Sequence, residues 1–323
     1  MPSANGGRLV TMLRTLATTP AATRRARGWK KLVWPYLFVS PAVLALLLFT
    51  AGPFLFTIWV SLHEWNLITP IAKMPFLGLA NYRHVLLKDV TFPSALRNTF
   101  VFALCGVGIN TVLGLLGALL LNSRLRARLF WRTLFFLPIV TAPLALGMMW
   151  VTLLAKNYGL INVLLMAAGL PRQPFLSSPD QALACIIAIA VYQNVGYYMI
   201  IYLAGLQGIP QDYYDAAAVD GASGMQSFWH VTLPLLRPVL LFILCTNTIG
   251  ALQVFDIVFA ATTGGAETSG GGPAGSTMVV VLHMYNTAFK FFRMGRATAM
   301  ALCLFCIIFV VTLLQLHLLR ERA

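Results

Sequence analysis

The chain has 323 residues, of which 59% are hydrophobic and only 10% are charged. Its mean hydropathy is +0.80 and its formal net charge is +14. Because an ordinary soluble domain carries about 25% charged residues, this composition excludes a string of soluble domains and indicates a membrane protein. The positive residues flank apolar stretches, where they meet anionic lipid headgroups, and no basic face with interleaved aromatic rings occurs. Membrane lipid is therefore an expected partner, and nucleic acid is not.

Six stretches contain no Asp, Glu, Lys or Arg and are long enough to cross a bilayer, which takes about 20 apolar residues. The sequence therefore predicts an all-α polytopic membrane protein with six transmembrane helices in one domain. As a single helix, the third stretch would be about 35 Å long and could span with some tilt. The stretches cover residues 32–62, 98–123, 133–155, 181–209, 238–255 and 297–319.

The residues before the first span, 1–31, are basic and contain no acid. We interpret them as a disordered cytoplasmic tail that obeys the positive-inside rule, with a transit peptide as the alternative. Six spans return the C-terminus, residues 320–323, to the same side. On this topology the segments 122–132 and 208–237 are also cytoplasmic.

Several kinds of catalytic site find no support in the sequence. Cys303 and Cys306 form a C-x-x-C without a second pair, which favours structural thiols over a metal or redox site. No G-x-x-x-x-G-K-[ST] occurs, so this chain is not expected to hydrolyse ATP. The glycine-rich run at 264–275 lacks the lysine of a phosphate-binding loop and is interpreted as a flexible loop. The histidines are scattered without H-E-x-x-H, so an intramembrane metalloenzyme is not indicated.

One segment differs from its apolar surroundings, the stretch QDYYDAAAVDGASGMQSFWHVTLPLLRP at 211–238. Pro210 and Asp212 favour a helix start, because an acid in the first turn complements the helix dipole. The Asp-Gly pair at 220–221 favours its end. Ser223, followed three residues later by Gln226, predicts a capping box that opens a second short helix.

The first of these two helices is small and acidic. Asp212 and Asp215 lie three residues apart on one face, and Ala216 and Ala217 leave the backbone uncovered. Another protein with a basic groove could approach such a helix closely. The alternative is a solvated loop helix that interacts with nothing.

This segment resembles the EAA loop of ABC-importer permeases, whose pattern is E-A-A, then D-G-A, a downstream F, and L-P followed by P. Asp215 stands where that family usually has Glu, which keeps the charge and shortens the reach. The other matching positions are Ala216, Ala217, Asp220, Gly221, Ala222, Phe228, Leu233, Pro234 and Pro238.

The resemblance extends from about residue 33 to 319 and is to the carbohydrate-uptake branch. FWRTLFFLPIVTAPLALGMMW, FDIVFAATTGG and MGRATAMALCLF are similar to that branch's third helix and to its last helix with the approach to it. The resemblance implies a permease domain at 32–319, in the inner membrane of a bacterium, that is not itself an enzyme. It also implies a second homologous permease, two cytoplasmic ATPase subunits that bind ATP and Mg, and an external solute-binding protein.

The same resemblance makes the segment at 208–237 the coupling loop, which docks on the ATPase and transmits its closure to the spans. The coupling residues would be Asp212, Asp215, Ala216, Ala217, Asp220, Gly221 and Ala222.

Polar side chains in the middle of spans are costly in lipid, so we expect them to face a cavity or another helix. Amides and hydroxyls hydrogen-bond neutral polyols, and aromatic rings cover their C–H faces. Sugar contacts are therefore one interpretation of these residues, and helix–helix packing is the other. Either this subunit or its partner permease could hold the site. The candidate substrate-path residues are Gln193, Asn194, Tyr197, Asn247, Gly250 and Gln253.

Two further points concern the spans. Asp256 is expected near the outer boundary of the fifth span, as a gate or a structural contact. A stand-alone secondary transporter remains the alternative function, although such proteins use inverted repeats and usually an intramembrane ion site, and neither is evident here.

Overall fold

The computed structural model describes residues 21–123, 126–263 and 270–320. Most of the predicted tail (1–20), part of the glycine-rich run (264–269) and the last three residues lie outside the described ones. Across the described ranges the chain is helical, and the only extended pairing is one antiparallel bridge between His63 and Phe76. The predicted all-α class is confirmed.

The described part of the chain divides into two compact units, with the boundary between Trp59 and Val60. The first unit contains α1 (Ala21–Leu46), a π-helical turn and most of α2 (Gly52–Ser61). Residues 21–31, predicted to be disordered, are helical instead, because their Ala, Arg and Lys residues are good helix formers. The assignment of a cytoplasmic tail and a permease domain to parts of this chain stays a prediction.

The second unit contains the remaining helices. They are α3 (Ala80–Leu87), α4 (Thr91–Asn122), α5 (Arg128–Val140), α6 (Pro143–Leu153), α7 (Leu160–Ala167), α8 (Pro179–Gln207), α9 (Gln211–Val219), α10 (Gly224–Ser227), α11 (Leu233–Leu235), α12 (Arg237–Leu252), α13 (Asp256–Thr263), α14 (Val280–Tyr285) and α15 (Met294–Arg320).

Among the described residues, five stretches are long and apolar enough to cross a membrane, and a bent helix pair, α5 with α6, makes a sixth. This agrees with the six predicted spans. The five continuous stretches are Trp34–Ser61, Thr91–Asn122, Pro179–Gln207, Arg237–Thr262 and Met294–Leu318.

The third predicted span is broken in the middle. α5 and α6 meet at an angle of 98°. Between them Thr141 and Ala142 are extended, with ψ of 139° and 130°. The ring of Pro143 disfavours helical backbone at the residue before it, and neither Pro143 nor Pro138 can donate a helical hydrogen bond. The prediction of one helix over 133–155 is therefore wrong.

α8 is the helix around which the second unit packs, since it contacts α4, α5 and α12. A β-carbon at Gly196 would overlap the backbone carbonyl oxygen of Phe135 in α5, so the two helices cross there in backbone contact. Close approach at small residues is how membrane helices gain packing contacts. Two buried apolar clusters lie along α8, one including Ile186 and the other including Tyr202.

A polar contact fixes the start of α4. Oδ1 of Asp89 accepts the backbone N–H groups of Thr91 and Phe92 at 2.9 and 3.1 Å. Its Oδ2 lies 2.9 Å from Nε2 of His283 in α14. Burial raises the pKa of Asp89, but the hydrogen bond and charge of His283 and the two N–H donors outweigh burial, so the pKa is lowered from 3.8. The ionised carboxylate thus connects α14 to α4.

We expect Asp89→Asn to reduce the free energy of unfolding by about 2 kcal/mol at neutral pH, as for other hydrogen bonds to a charged group. Because the folded-state pKa is depressed, this contribution is fully present above the unfolded value of 3.8 and is lost as the pH falls through the folded value. Thermal unfolding in detergent should therefore show the melting temperatures of wild type and Asp89→Asn converging as the pH falls below 3.8. Asp180→Asn, an exposed acid at the start of α8, is the control. If the melting temperatures of wild type and Asp89→Asn still differed by the same amount at low pH, the ionic contact would be contradicted.

Candidate functional site

A cavity of about 320 Å³ lies between α4, α8 and α12. Its wall is completed by residues beside the α5–α6 break, such as Pro143, and by the junction between α12 and α13 at 253–256. Its size lies in the usual range of ligand pockets, about 300–1,000 Å³. Both buried clusters contribute to the wall, through Phe102 on one side and Tyr198 on the other.

Most of the predicted substrate-path residues meet in this cavity, namely Gln193, Asn194, Asn247, Gly250 and Gln253. Tyr197 does not line it.

The neighbouring Tyr198 lines the cavity instead, and the rings of the two tyrosines are in edge contact with centroids 5.3 Å apart. Side chains four residues apart on a helix share a face, so a cavity that takes Asn194 also takes Tyr198. Tyr197 is rotated away and is 39% exposed. Tyr198 rather than Tyr197 therefore lines this cavity, and a role of Tyr197 in the substrate path stays a prediction.

Gln193 has a structural partner in this position. Its side chain is buried, and Nε2 donates to the backbone oxygen of Thr141 at 3.3 Å. Thr141 lies in the α5–α6 break, where the extended backbone has left the helical hydrogen-bond pattern. Gln193 therefore stabilises the break from α8, and Asn194 bonds to its own helix at Ala190.

Two asparagines of the cavity wall have unsatisfied polar atoms. Nδ2 of Asn247 in α12 has no partner among the described residues, and the residue is only 5% exposed. Oδ1 of Asn110 in α4 is likewise unpartnered, at 4% exposure. A buried amide without a partner costs about 1–3 kcal/mol. Both residues line the cavity, but these two atoms are themselves inaccessible to solvent in this structure.

Asn110 is not among the substrate-path residues predicted from the sequence. The sequence did contain an indication, because Asn110 is an amide in the middle of the second apolar stretch, where polar groups are costly. Only the packing of α4 against α8 and α12 shows that it faces the same cavity as Asn247.

Asp256 also lines the cavity, and its expected place near the outer boundary stays a prediction. α12 ends at Leu252, and the apolar stretch resumes in α13 and extends to Thr262, so Asp256 lies within it. The predicted end of the fifth span at 255 is therefore too early. Its carboxylate makes no hydrogen bond or ion pair within the described residues, which gives no support to a structural contact.

The acidic segment folds as two short helices. α9 covers Gln211–Val219 and is followed by Gly221, whose φ of +77° is left-handed and favours glycine. Ser223 then caps α10, with Gln226 completing the capping box. The predicted helix bounds and the capping box are confirmed. Tyr214 holds α9 in place through a 3.2 Å hydrogen bond with Thr232.

The outer surface of this segment is both acidic and apolar. Asp212, Asp215 and Asp220 are exposed, and Ala216 beside them is exposed too. Nε2 of Gln211 donates to Oδ1 of Asp215 at 3.2 Å. The remaining predicted coupling residues, Ala217, Gly221 and Ala222, belong to the same surface and are at least partly exposed.

Large apolar side chains extend this surface. Val219 is 88% exposed, and Met225 and Trp229 are more than half exposed. Apolar groups rimmed by polar residues are typical of protein interaction sites. The surface of α9 and α10 therefore combines charge with apolar area that is suited to a partner.

Comparisons with known proteins agree with this architecture. Residues 110–322 match the family described as binding-protein-dependent transport system inner membrane component. The trehalose/maltose transport system permease protein MalF of Thermococcus litoralis is 35% identical over 290 residues, 89% of this chain and 94% of that protein. The sn-glycerol-3-phosphate transport system permease protein UgpA of Agrobacterium fabrum is 30% identical over 291 residues, 90% of this chain and 96% of that protein.

A solved structure shares the fold. A chain of a bacterial ABC transporter involved in the import of the acidic polysaccharide alginate superposes with a TM-score of 0.76 at 23% identity. The match covers 91% of this chain and 99% of that chain.

Proposed function

We propose that this chain, which belongs to the family of binding-protein-dependent transport system inner membrane components, forms part of the path by which an ABC importer carries a carbohydrate. The observation that supports this most is the cavity, whose wall carries the amide residues Asn110, Asn194 and Asn247 inside an apolar bundle. A sugar hydroxyl can both donate and accept hydrogen bonds, so it suits a wall that contains amides. The relative named for trehalose and maltose transport supports the same substrate class.

The proposed assembly has further subunits. A second, homologous permease completes the path, and an external solute-binding protein delivers the substrate. Two cytoplasmic ATPase subunits bind ATP with Mg and hydrolyse it, because this chain has no phosphate-binding loop of its own. The exposed acidic surface of α9 supports this division of labour, since it offers a docking site for a basic cleft.

The proposed orientation places α9 and both chain ends in the cytoplasm, in accordance with the positive-inside rule. The glycine-rich segment that ends at Gly275 would then lie outside. Closure of the ATPase dimer would push α9 and α10 and tilt the attached spans from inward-open to outward-open.

Reconstitution tests this function. Proteoliposomes that contain the chain with its partner permease and ATPases should take up substrate only when ATP and the solute-binding protein are supplied. Uptake by this chain alone, without ATP, would contradict the proposal and indicate a secondary carrier.

We expect Asn247→Leu to reduce ATP-dependent uptake about tenfold, because the substrate loses a hydrogen bond in a buried site. Co-purification of the ATPase should be unchanged. Thr246→Val is the matched control, since Thr246 lies next in sequence, bonds to Phe242 of its own helix and does not line the cavity. Normal uptake kinetics in Asn247→Leu would place the site on other residues or on the second permease.

A further inference from the structure

We infer that Asp256 makes this cavity select uncharged carbohydrates over anionic ones, such as phosphate esters and uronic acids. The inference rests on the proposed function and deepens it by naming the substrate class. Family membership does not decide this class, because one relative is named for a phosphate ester.

Among the described residues, the cavity wall carries a negative charge and no positive one. Asp256 is the only carboxylate among the described lining residues, and none of them is Lys, Arg or His. Asp256 is exposed, and no described residue forms an ion pair or a hydrogen bond with it. Nothing in this part of the chain therefore neutralises the carboxylate. A second negative charge brought next to it would be repelled, because the two charges would lie closer together than the screening length of about 8 Å.

The hydrogen-bonding groups of the wall fit a ligand that carries hydroxyl groups. The Asp256 carboxylate only accepts hydrogen bonds, whereas amides such as Asn194 and Gln253 both donate and accept them. Hydroxyl groups can meet both needs. Neutral and anionic sugars both carry hydroxyls, so the charge of Asp256, and not the hydrogen-bonding pattern, separates the two classes.

The geometry of the chain explains why the carboxylate reaches the wall. α12 ends at Leu252, and the backbone turns through Gln253 before α13 begins at Asp256. In a continuous helix only residues three or four apart share a face. Here the five consecutive residues 253–257, Asp256 among them, all line the cavity.

The test uses two probes that differ only at C6, methyl α-glucoside and methyl α-glucuronide. Saturation-transfer NMR would measure both dissociation constants at neutral pH on the assembled importer in detergent, without the solute-binding protein. We expect the glucuronide to bind at least about tenfold more weakly than the glucoside, as one unfavourable charge pair would require. Asp256→Asn keeps the side-chain size and removes the charge. It should reduce the ratio of the two dissociation constants to about twofold.

Two variants serve as controls. Asp180→Asn removes an exposed acid that does not line the cavity and should leave the ratio at its wild-type value. Asn247→Leu should weaken both sugars, which assigns the signals to this cavity.

Equal affinities in the wild-type importer, or an unchanged ratio in Asp256→Asn, would overturn the charge selection and leave the proposed transport function standing. Failure of both sugars to bind the wild-type importer would contradict the carbohydrate site itself. Equal affinities in the wild-type importer would overturn the inference even if the variant does not assemble.

Discussion

Asp215→Lys is expected to abolish co-purification of the ATPase with the permease. Asp212 and Asp215 lie on one exposed face of α9, so a lysine there would oppose a basic cleft with a like charge. Removing one partner of such a charge pair typically costs about 2–5 kcal/mol, and reversal of its sign should cost no less. The measurements are affinity purification of the detergent-solubilised complex and substrate-stimulated ATP hydrolysis in proteoliposomes. Both should fall to background.

Two further variants sharpen this test. Asp180→Lys makes the same charge change at the start of α8, away from the proposed docking surface, and should bind the ATPase normally. Gly221→Val should also uncouple hydrolysis from transport, because a β-branched residue is strained at a φ of +77°. Normal ATPase binding and stimulation in Asp215→Lys would show that the acidic face is not the docking surface.

A side chain at Gly196 is expected to prevent stable assembly of the bundle. Even the β-carbon of Gly196→Ala would overlap the carbonyl oxygen of Phe135, and a backbone atom cannot rotate away as a side chain can. α5 would have to move off α8, which would also separate Thr141 from Gln193. Overpacking a well-packed core costs about 1–3 kcal/mol, and an obstacle of backbone should cost at least about 3 kcal/mol.

Size-exclusion profiles and melting temperatures in detergent would measure this loss. Gly108→Ala in α4 is the matched control, because a β-carbon there would meet nothing within 4 Å. A wild-type melting temperature for Gly196→Ala would contradict the backbone contact between α5 and α8.

The features that were predictable from the sequence are those that depend on neighbouring residues alone. The bounds of α9 and the capping box at Ser223 follow from local chemistry, since an acid, a glycine and a cap act within one or two turns. The number of spans follows from apolar length in the same way.

Features that depend on contacts between helices were not predictable in this way. The choice of Tyr198 over Tyr197 is made by the rotation of α8, which its contact with α5 fixes. The place of Asp256 depends on an interruption of α12 that apolar composition does not reveal. The break before Pro143 is an intermediate case, because the proline pattern was visible but the length of the apolar stretch outweighed it.

The continuity of α8 has a mechanical consequence. It runs without interruption to Gln207, and only Gly208, Ile209 and Pro210 separate it from α9. The helical rise from Gln193 to Gln207 is about 21 Å, so this part of α8 is a lever arm between the cavity and the acidic segment. A tilt of about 5° about the lower end would displace Gln193 by about 2 Å, enough to break the hydrogen bond to Thr141. A small tilt of α8 about the end that adjoins α9 would thus be sufficient to change the shape of the cavity wall.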